Sequence, residues 1–217
     1  MKTRSVIVLS VIALVCSAAA FAQDFPKIEL TGGYSYINFH PSIPQFTSQN
    51  FNGGGGAFVY NVTPLIGVKA DFMGYAVGTG WTTKLTNLGY PVTGSASGNM
   101  FTYMFGPQIK KHSGKFQPFG EGLFGAAHSN GYASVLNCIS HNDSGHCNLS
   151  NGNGNNNSFA MEFGGGIDYA LTDRIQIRPV EVDYLYTQFS SNHIAGISNS
   201  QNSFKYFAGI NFTFGGK

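Results

Sequence analysis

Between Ser158 and Phe189 the chain alternates large apolar side chains with small or charged ones, and this period of two restricts the fold more than any other feature. Phe159, Met161, Phe163, Ile167, Tyr169 and Leu171 share one parity, while Ala160, Glu162, Gly164, Gly166 and Asp168 share the other. After a short break at Thr172-Asp173, Val180, Val182, Tyr184 and Tyr186 oppose Glu181, Asp183 and Thr187. Successive side chains of a strand point to opposite faces, so the pattern predicts a hairpin with one aromatic face and one charged face. Arg178 breaks the pattern by sharing its parity with Val180 and Val182. A β-bulge at Pro179-Val180 returns Arg178 to the charged face, and a bulge is one of the few places where a strand accepts proline.

The alternation recurs along the chain. Ile28, Leu30, Tyr34 and Tyr36 oppose Glu29, Thr31, Gly33 and Ser35, and Phe58, Tyr60 and Val62 oppose Ala57, Val59 and Asn61. Ile66, Val68, Ala70 and Phe72 oppose Lys69, Asp71 and Met73. Phe101, Tyr103, Phe105 and Ile109 oppose Thr102, Met104, Gln108 and Lys110, with a weaker case at Phe124 and Ala126 against Glu121, Leu123 and Gly125. The last strand sets Phe204, Tyr206, Ala208, Ile210, Phe212 and Phe214 against Lys205, Gly209, Asn211 and Thr213. With the hairpin this makes eight strands, an all-β chain. The connections around residues 62–65, 111–115 and 172–173 are short, and those at 40–52, 77–98, 130–157 and 190–202 are long. Short turns at one end and long loops at the other fit an antiparallel barrel of the outer-membrane type, with both termini periplasmic.

The side that faces inward follows from volume. A soluble eight-stranded barrel would have to hold all the Phe and Tyr of the apolar face in a lumen only just wide enough for ordinary side chains. The other face would make a poor aqueous coat, since charged residues are 10% of the chain and aromatic ones 14%. We therefore expect the aromatic face to meet lipid and the charged face to line the lumen. Closure of the sheet then leaves no backbone group unpaired in the bilayer.

Lys2 and Arg4, the apolar residues 6–15 and the small-x-small site Ala20-Phe21-Ala22 predict a signal peptide over residues 1–22, cleaved before Gln23, with the barrel domain at 23–217. Cys16 raises a lipoprotein alternative, which Val15 before it disfavours. Cleavage removes Lys2 and Arg4 from the 12 basic residues and leaves ten against the 10 acidic ones. A neutral chain gives no electrostatic case for nucleic acid.

The segments Asn61-Val-Thr-Pro-Leu-Ile-Gly-Val-Lys-Ala-Asp-Phe, Gln117-Pro-Phe-Gly-Glu-Gly, Gly164-Gly-Gly-Ile-Asp-Tyr and Gly209-Ile-Asn-Phe-Thr-Phe resemble the bacterial outer-membrane-protein β-barrel family, the small OmpA/OmpX-like barrels. The resemblance covers the mature chain. It implies an eight-stranded transmembrane barrel in the outer membrane of a Gram-negative-type bacterium, in contact with lipid and lipopolysaccharide, and we expect that barrel to be a monomer. Gly209, Phe212 and Phe214 resemble the C-terminal signal read by the barrel-assembly machinery, although Phe207 and the trailing Gly215-Gly216-Lys217 depart from it. Such barrels serve as anchors, adhesins, pores and occasionally enzymes, so the family leaves the activity open.

Three groups of residues carry candidate chemistry. Glu29, Asp71, Glu121, Glu162, Asp168, Glu181 and Asp183 share the predicted lumen with Lys69, Lys110, Arg178 and Lys205. They form either an ion-pair network that fills the barrel or the lining of a narrow, cation-leaning pore. Cys138 and Cys147, in the longest loop, are expected to form a disulfide in an oxidising compartment. His141, Asp143 and His146 between them offer zinc ligands in a spacing that fits no motif. That loop, 130–157, is expected to contact an extracellular ligand. His128 beside Ser129 is the one pair that suggests catalysis of the lipid A deacylase or protease kind, but its parity faces lipid. The glycine run 53–56 lacks the Lys-Ser/Thr of a phosphate loop and reads as thin, curved barrel wall. No pattern calls for a cofactor, and the reading is of a non-enzymatic barrel.

Overall fold

A computed structural model describes residues 25–40, 49–77, 92–93, 98–130, 147–148, 155–189 and 200–215. The expected signal peptide and its cleavage site, Cys138, His141, Asp143 and His146 lie outside these residues. Among the described residues ten strands are present in chain order: β1 (Ile28–His40), β2 (Gln49–Asn61), β3 (Ile66–Val77), β4 (Val92–Thr93), β5 (Gly98–Lys110), β6 (Phe116–Asn130), β7 (Cys147–Asn148), β8 (Asn155–Ala170), β9 (Ile175–Phe189) and β10 (Ser200–Phe214). The eight long strands form one closed barrel in the order β1-β10-β9-β8-β6-β5-β3-β2, every neighbour antiparallel. Closure is made by β1 and β10, from Ile28 opposite Phe214 to His40 opposite Asn202. The small pair β4 and β7 is parallel, with Val92 opposite Cys147, and joins two of the long connections by their backbones. Several strands run further than the alternation suggested: β2 starts at Gln49 and β8 at Asn155, inside stretches expected to be loop.

Facing follows the sequence parity. Leu30, Phe58, Val68, Phe72, Phe105, Phe163, Val182, Phe204 and Ile210 all lie exposed on the outer wall. Outward rings of neighbouring strands meet edge to face, as for Phe72 with Phe105 and Phe124 with Phe163. At the long-loop end the outer wall turns polar. Asn50, Asn52, Asn99, Asn157, Gln188 and Asn202 all face outward there. Tyr34 Oη donates to Asn52 Oδ1 at 2.5 Å and Tyr184 Oη to Asn202 Oδ1 at 2.6 Å, so tyrosines tie the apolar band to this amide collar.

Two of the three tight turns are built alike. Val62-Thr-Pro-Leu-Ile and Leu171-Thr-Asp-Arg-Ile each close with two backbone amides donating to the final Ile carbonyl. The Thr63 hydroxyl accepts from Ile66 N at 2.9 Å and the Thr172 hydroxyl from Ile175 N at 3.0 Å. A threonine hydroxyl that accepts from later amides is what fixes a turn of this type. The third turn reverses at Gly114, whose φ of 81° suits glycine.

The bulge is where Arg178 required it. On β10, Phe207 pairs with Glu181 and Gly209 with Arg178; on β8, Ile167 pairs with Val180 and Tyr169 with Ile177. Both neighbours therefore spend two residues where β9 spends three. Pro179 and Val180 face outward together, and Arg178 and Glu181 both face in.

The lumen is less uniformly polar than expected. Phe51, Tyr75, Phe119 and Phe207 point inward and are buried, with Ile37, Met73, Met100, Met104, Leu123 and Leu185. Luminal glycines make the room. A Cβ on Gly33 would sit 2.7 Å from the Phe207 ring and 2.2 Å from Ala208 O. A Cβ on Gly53 would sit 2.7 Å from the Tyr75 ring and 2.1 Å from Gly74 O. The same holds for Gly166 under Phe119. Rings laid across bare backbone on the neighbouring strand are a known way to support glycine-rich, strongly curved sheet.

Candidate functional site: the charged lumen

All eleven charged residues expected in the lumen are there, and none is more than 8% exposed. They fall into two groups joined by Arg178.

The group nearer the short turns is saturated with hydrogen bonds. Glu29 Oε1 accepts from Asn61 Nδ2 at 2.9 Å and faces His112 Nε2 at 2.7 Å. Glu29 Oε2 accepts from Lys110 Nζ at 2.5 Å and Asn211 Nδ2 at 2.6 Å. Lys110 also donates to Asp168 Oδ2 at 2.6 Å and Gln176 Oε1 at 2.9 Å, so its three protons all have acceptors. Arg178 grips Asp168 through Nε (2.7 Å) and Nη2 (2.9 Å), reaches Glu181 Oε2 through Nη1 at 2.6 Å, and stacks on Phe119 at 4.1 Å. Such a bidentate, stacked guanidinium is the arrangement in which a buried arginine is best compensated. His112 continues the network out to the Pro64 carbonyl, 2.8 Å from Nδ1. Outside it lies a cavity of about 230 Å³, lined by Phe25, Pro26, His112, Gln117, Gln176 and Thr213.

The group at mid-barrel is built differently. Lys69 Nζ lies 2.6 Å from Glu121 Oε1, 3.2 Å from Glu181 Oε1 and 3.5 Å from Asp71 Oδ2. Lys205 Nζ contacts Glu162, Asp183 Oδ2 at 3.2 Å and Glu181 Oε1 at 3.6 Å. Gln108 Nε2 donates to Glu121 Oε2 at 2.9 Å. Yet among the described residues neither oxygen of Asp71 or of Asp183 has a hydrogen-bond donor, nor does Gln108 Oε1 have one, although all are buried. Nearer the long loops the lumen is closed by Ile37, Phe51, Tyr75, Met100 and Leu185, and Tyr75 Oη meets Ser35 Oγ at 3.0 Å.

The other candidates separate clearly. His128 Nδ1 lies 2.7 Å from Asn157 Oδ1, and the residue forms no ion pair among the described residues. Cys147 is described only by its backbone, in β7, and its expected bond to Cys138 lies outside the described residues. Gly209 packs so close to Gly32 that a Cβ would sit 2.3 Å from its carbonyl, while Phe212 and Phe214 lie exposed on the outer wall. Asn61 and Asn211, which head Asn-x-Thr sequences, are buried inside the barrel as partners of Glu29. Sequence reasoning missed Phe119, Gln117, Gln176 and His112. The first three share parity with Glu121 or Arg178 and could have been read from it. His112 sits in a turn, where no periodicity applies.

With this geometry in hand, the comparisons with known proteins agree. The family model described as "Outer membrane protein beta-barrel domain" matches residues 7–217. The chain belongs to that family: it is an eight-stranded transmembrane β-barrel of the Gram-negative outer membrane. Among solved structures it is similar to Neisserial surface protein A, with a TM-score of 0.61 and 10% identity over 88% of this chain and 100% of that one. It is also similar to Ail, the attachment invasion locus protein of Yersinia pestis, with a TM-score of 0.51 and 12% identity over 88% and 99%. At such identities the likeness is one of fold. No curated protein matches the sequence.

Proposed function

We propose that this protein is a plugged outer-membrane barrel that acts at the cell surface through its long loops rather than as a pore or an enzyme. The observation that carries this reading is the crosslinked lumen: Arg178, Lys69, Lys110 and Lys205 are all buried, Lys69 crosses from β3 to Glu181 on β9, Lys110 crosses from β5 to Glu29 on β1, and Arg178 and Lys205 tie Asp168, Glu181 and Glu162 along the wall between. Threading an ion through would mean breaking several charge-assisted bonds at once. In this reading the short turns and both termini face the periplasm, residues 1–22 are removed before Gln23, and the C-terminal strand with Gly209, Phe212 and Phe214 is read by the assembly machinery. The barrel is a monomer. The meeting of β4 with β7 supports the loops as one organised surface, with the 130–157 loop and its cysteine pair as the main contact for an extracellular ligand.

Single-channel recording in planar bilayers tests the plug. Folded protein with heat-modifiable gel mobility should give no discrete conductance steps at neutral pH. Regular cation-selective steps would instead establish the narrow-pore reading that the excess of luminal acid allows. Deletion of residues 131–154 should leave the barrel folded while abolishing any binding to host cells or matrix.

A further inference from the structure

The mid-barrel group holds more negative charge than its neighbours neutralise. Among the described residues the lumen contains seven carboxylates and four side-chain cations, an excess of three. The saturated group near the turns is close to balance, since Glu29 and Asp168 share Lys110 and Arg178. The excess therefore lies at Asp71, Glu121, Glu162, Glu181 and Asp183, which have Lys69, Lys205 and one arm of Arg178 between them. Buried uncompensated charge is costly, so something else must neutralise it.

Geometry identifies what fits. Glu121, Glu162, Glu181 and Asp183 each present a carboxylate oxygen, and these oxygens all lie within 4.8 Å of one another. Ligands around one calcium ion at about 2.3–2.6 Å lie no more than about 5 Å apart, whereas around magnesium, at about 2.0–2.1 Å, they must crowd closer. Asp183, one of the four, is fully buried and has no hydrogen-bond donor to either oxygen among the described residues, and two more unpartnered groups lie beside the partners of the cluster. Asp71, fully buried and without a donor to either oxygen, approaches the same Lys69 that Glu121 and Glu181 hold. Gln108 Oε1, on the amide that donates to Glu121, is likewise unpartnered. An all-oxygen, carboxylate-rich set selects a hard cation over zinc or copper.

We propose that the centre of the barrel binds one calcium-sized divalent cation through Glu121, Glu162, Glu181 and Asp183, in competition with the Lys205 ammonium. The ion draws the walls of β6, β8 and β9 together. It makes the barrel's stability depend on divalent cations independently of any lipopolysaccharide.

The test uses full-length mature protein refolded into detergent free of lipopolysaccharide, stripped with chelator and dialysed against calcium chloride. Elemental analysis should find one calcium per barrel, with the melting temperature raised by roughly 5 °C or more at saturation. Glu162→Gln with Asp183→Asn should lose that ion and the shift; Asp183→Asn alone should weaken affinity about tenfold or more, since ligand charge tunes calcium affinity. Lys205→Met should bind calcium at least about tenfold more tightly than wild type, because its internal competitor is gone; a purely structural Lys205 would not produce that gain. Folded wild-type protein that takes up no calcium would show that protons hold the excess charge and would overturn the proposal. So would uptake that Asp183→Asn and Lys205→Met both leave unchanged.

Discussion

The two halves of the charged lumen solve the same problem in opposite ways. Near the short turns every charge is matched: Asn61, Lys110 and Asn211 donate to Glu29, which also meets His112, and Lys110 and Arg178 close on Asp168 from two sides. At mid-barrel, acids outnumber bases among the described residues, and there Asp71 and Asp183 sit buried without a hydrogen-bond donor. The difference shows that burial of charge is not one phenomenon. The first group rigidifies the wall because removing any member orphans several others. The second is held together partly against its own repulsion, so removing an acid there relieves the barrel.

Arg178 belongs to both groups, and its loss should have the largest effect. Arg178→Met leaves Asp168 and Glu181 short of their main partner and should cost about 3–5 kcal/mol, read from urea unfolding of the barrel in detergent. A loss below about 1 kcal/mol would mean that the lumen readily repacks or hydrates. Asp168→Asn keeps the shape and removes one charge from the matched group. It should cost roughly 1.5–3 kcal/mol, the range for hydrogen bonds to charged groups. Asp71→Asn is the same chemical change in the acid-rich group. In chelator it should be neutral or stabilise by up to about 1 kcal/mol, since it removes like-charge repulsion and little else. If the two substitutions cost the same, the contrast between the halves is wrong.

Much of this was legible from residue parity. All eleven luminal charges and the bulge that turns Arg178 inward follow from a period of two and one misplaced proline. Those signals are strong because a strand admits only two side-chain directions, and a single extra residue exchanges them. The inward aromatics were harder. Phe119 and Phe207 are apolar residues on the polar parity, and only the register reveals the glycine opposite or diagonal to each. His112 could not be found by parity at all, because its role depends on a turn that brings Pro64 and Glu29 within reach. Whether a charge pairs completely is likewise a matter of neighbours on facing walls, which no single strand records.

The amide collar at the long-loop end bears on how the barrel sits at its boundary. Its described outward amides, from Asn50 to Asn202, are neutral, and Tyr34 and Tyr184 anchor two of them, Asn52 and Asn202. Attraction between charged anchors and lipid phosphates weakens as ionic strength rises, whereas neutral amide and phenol contacts carry no such screening. The immersion depth of this rim, and the height at which its loops are displayed, should therefore be the same in dilute and in salty surroundings.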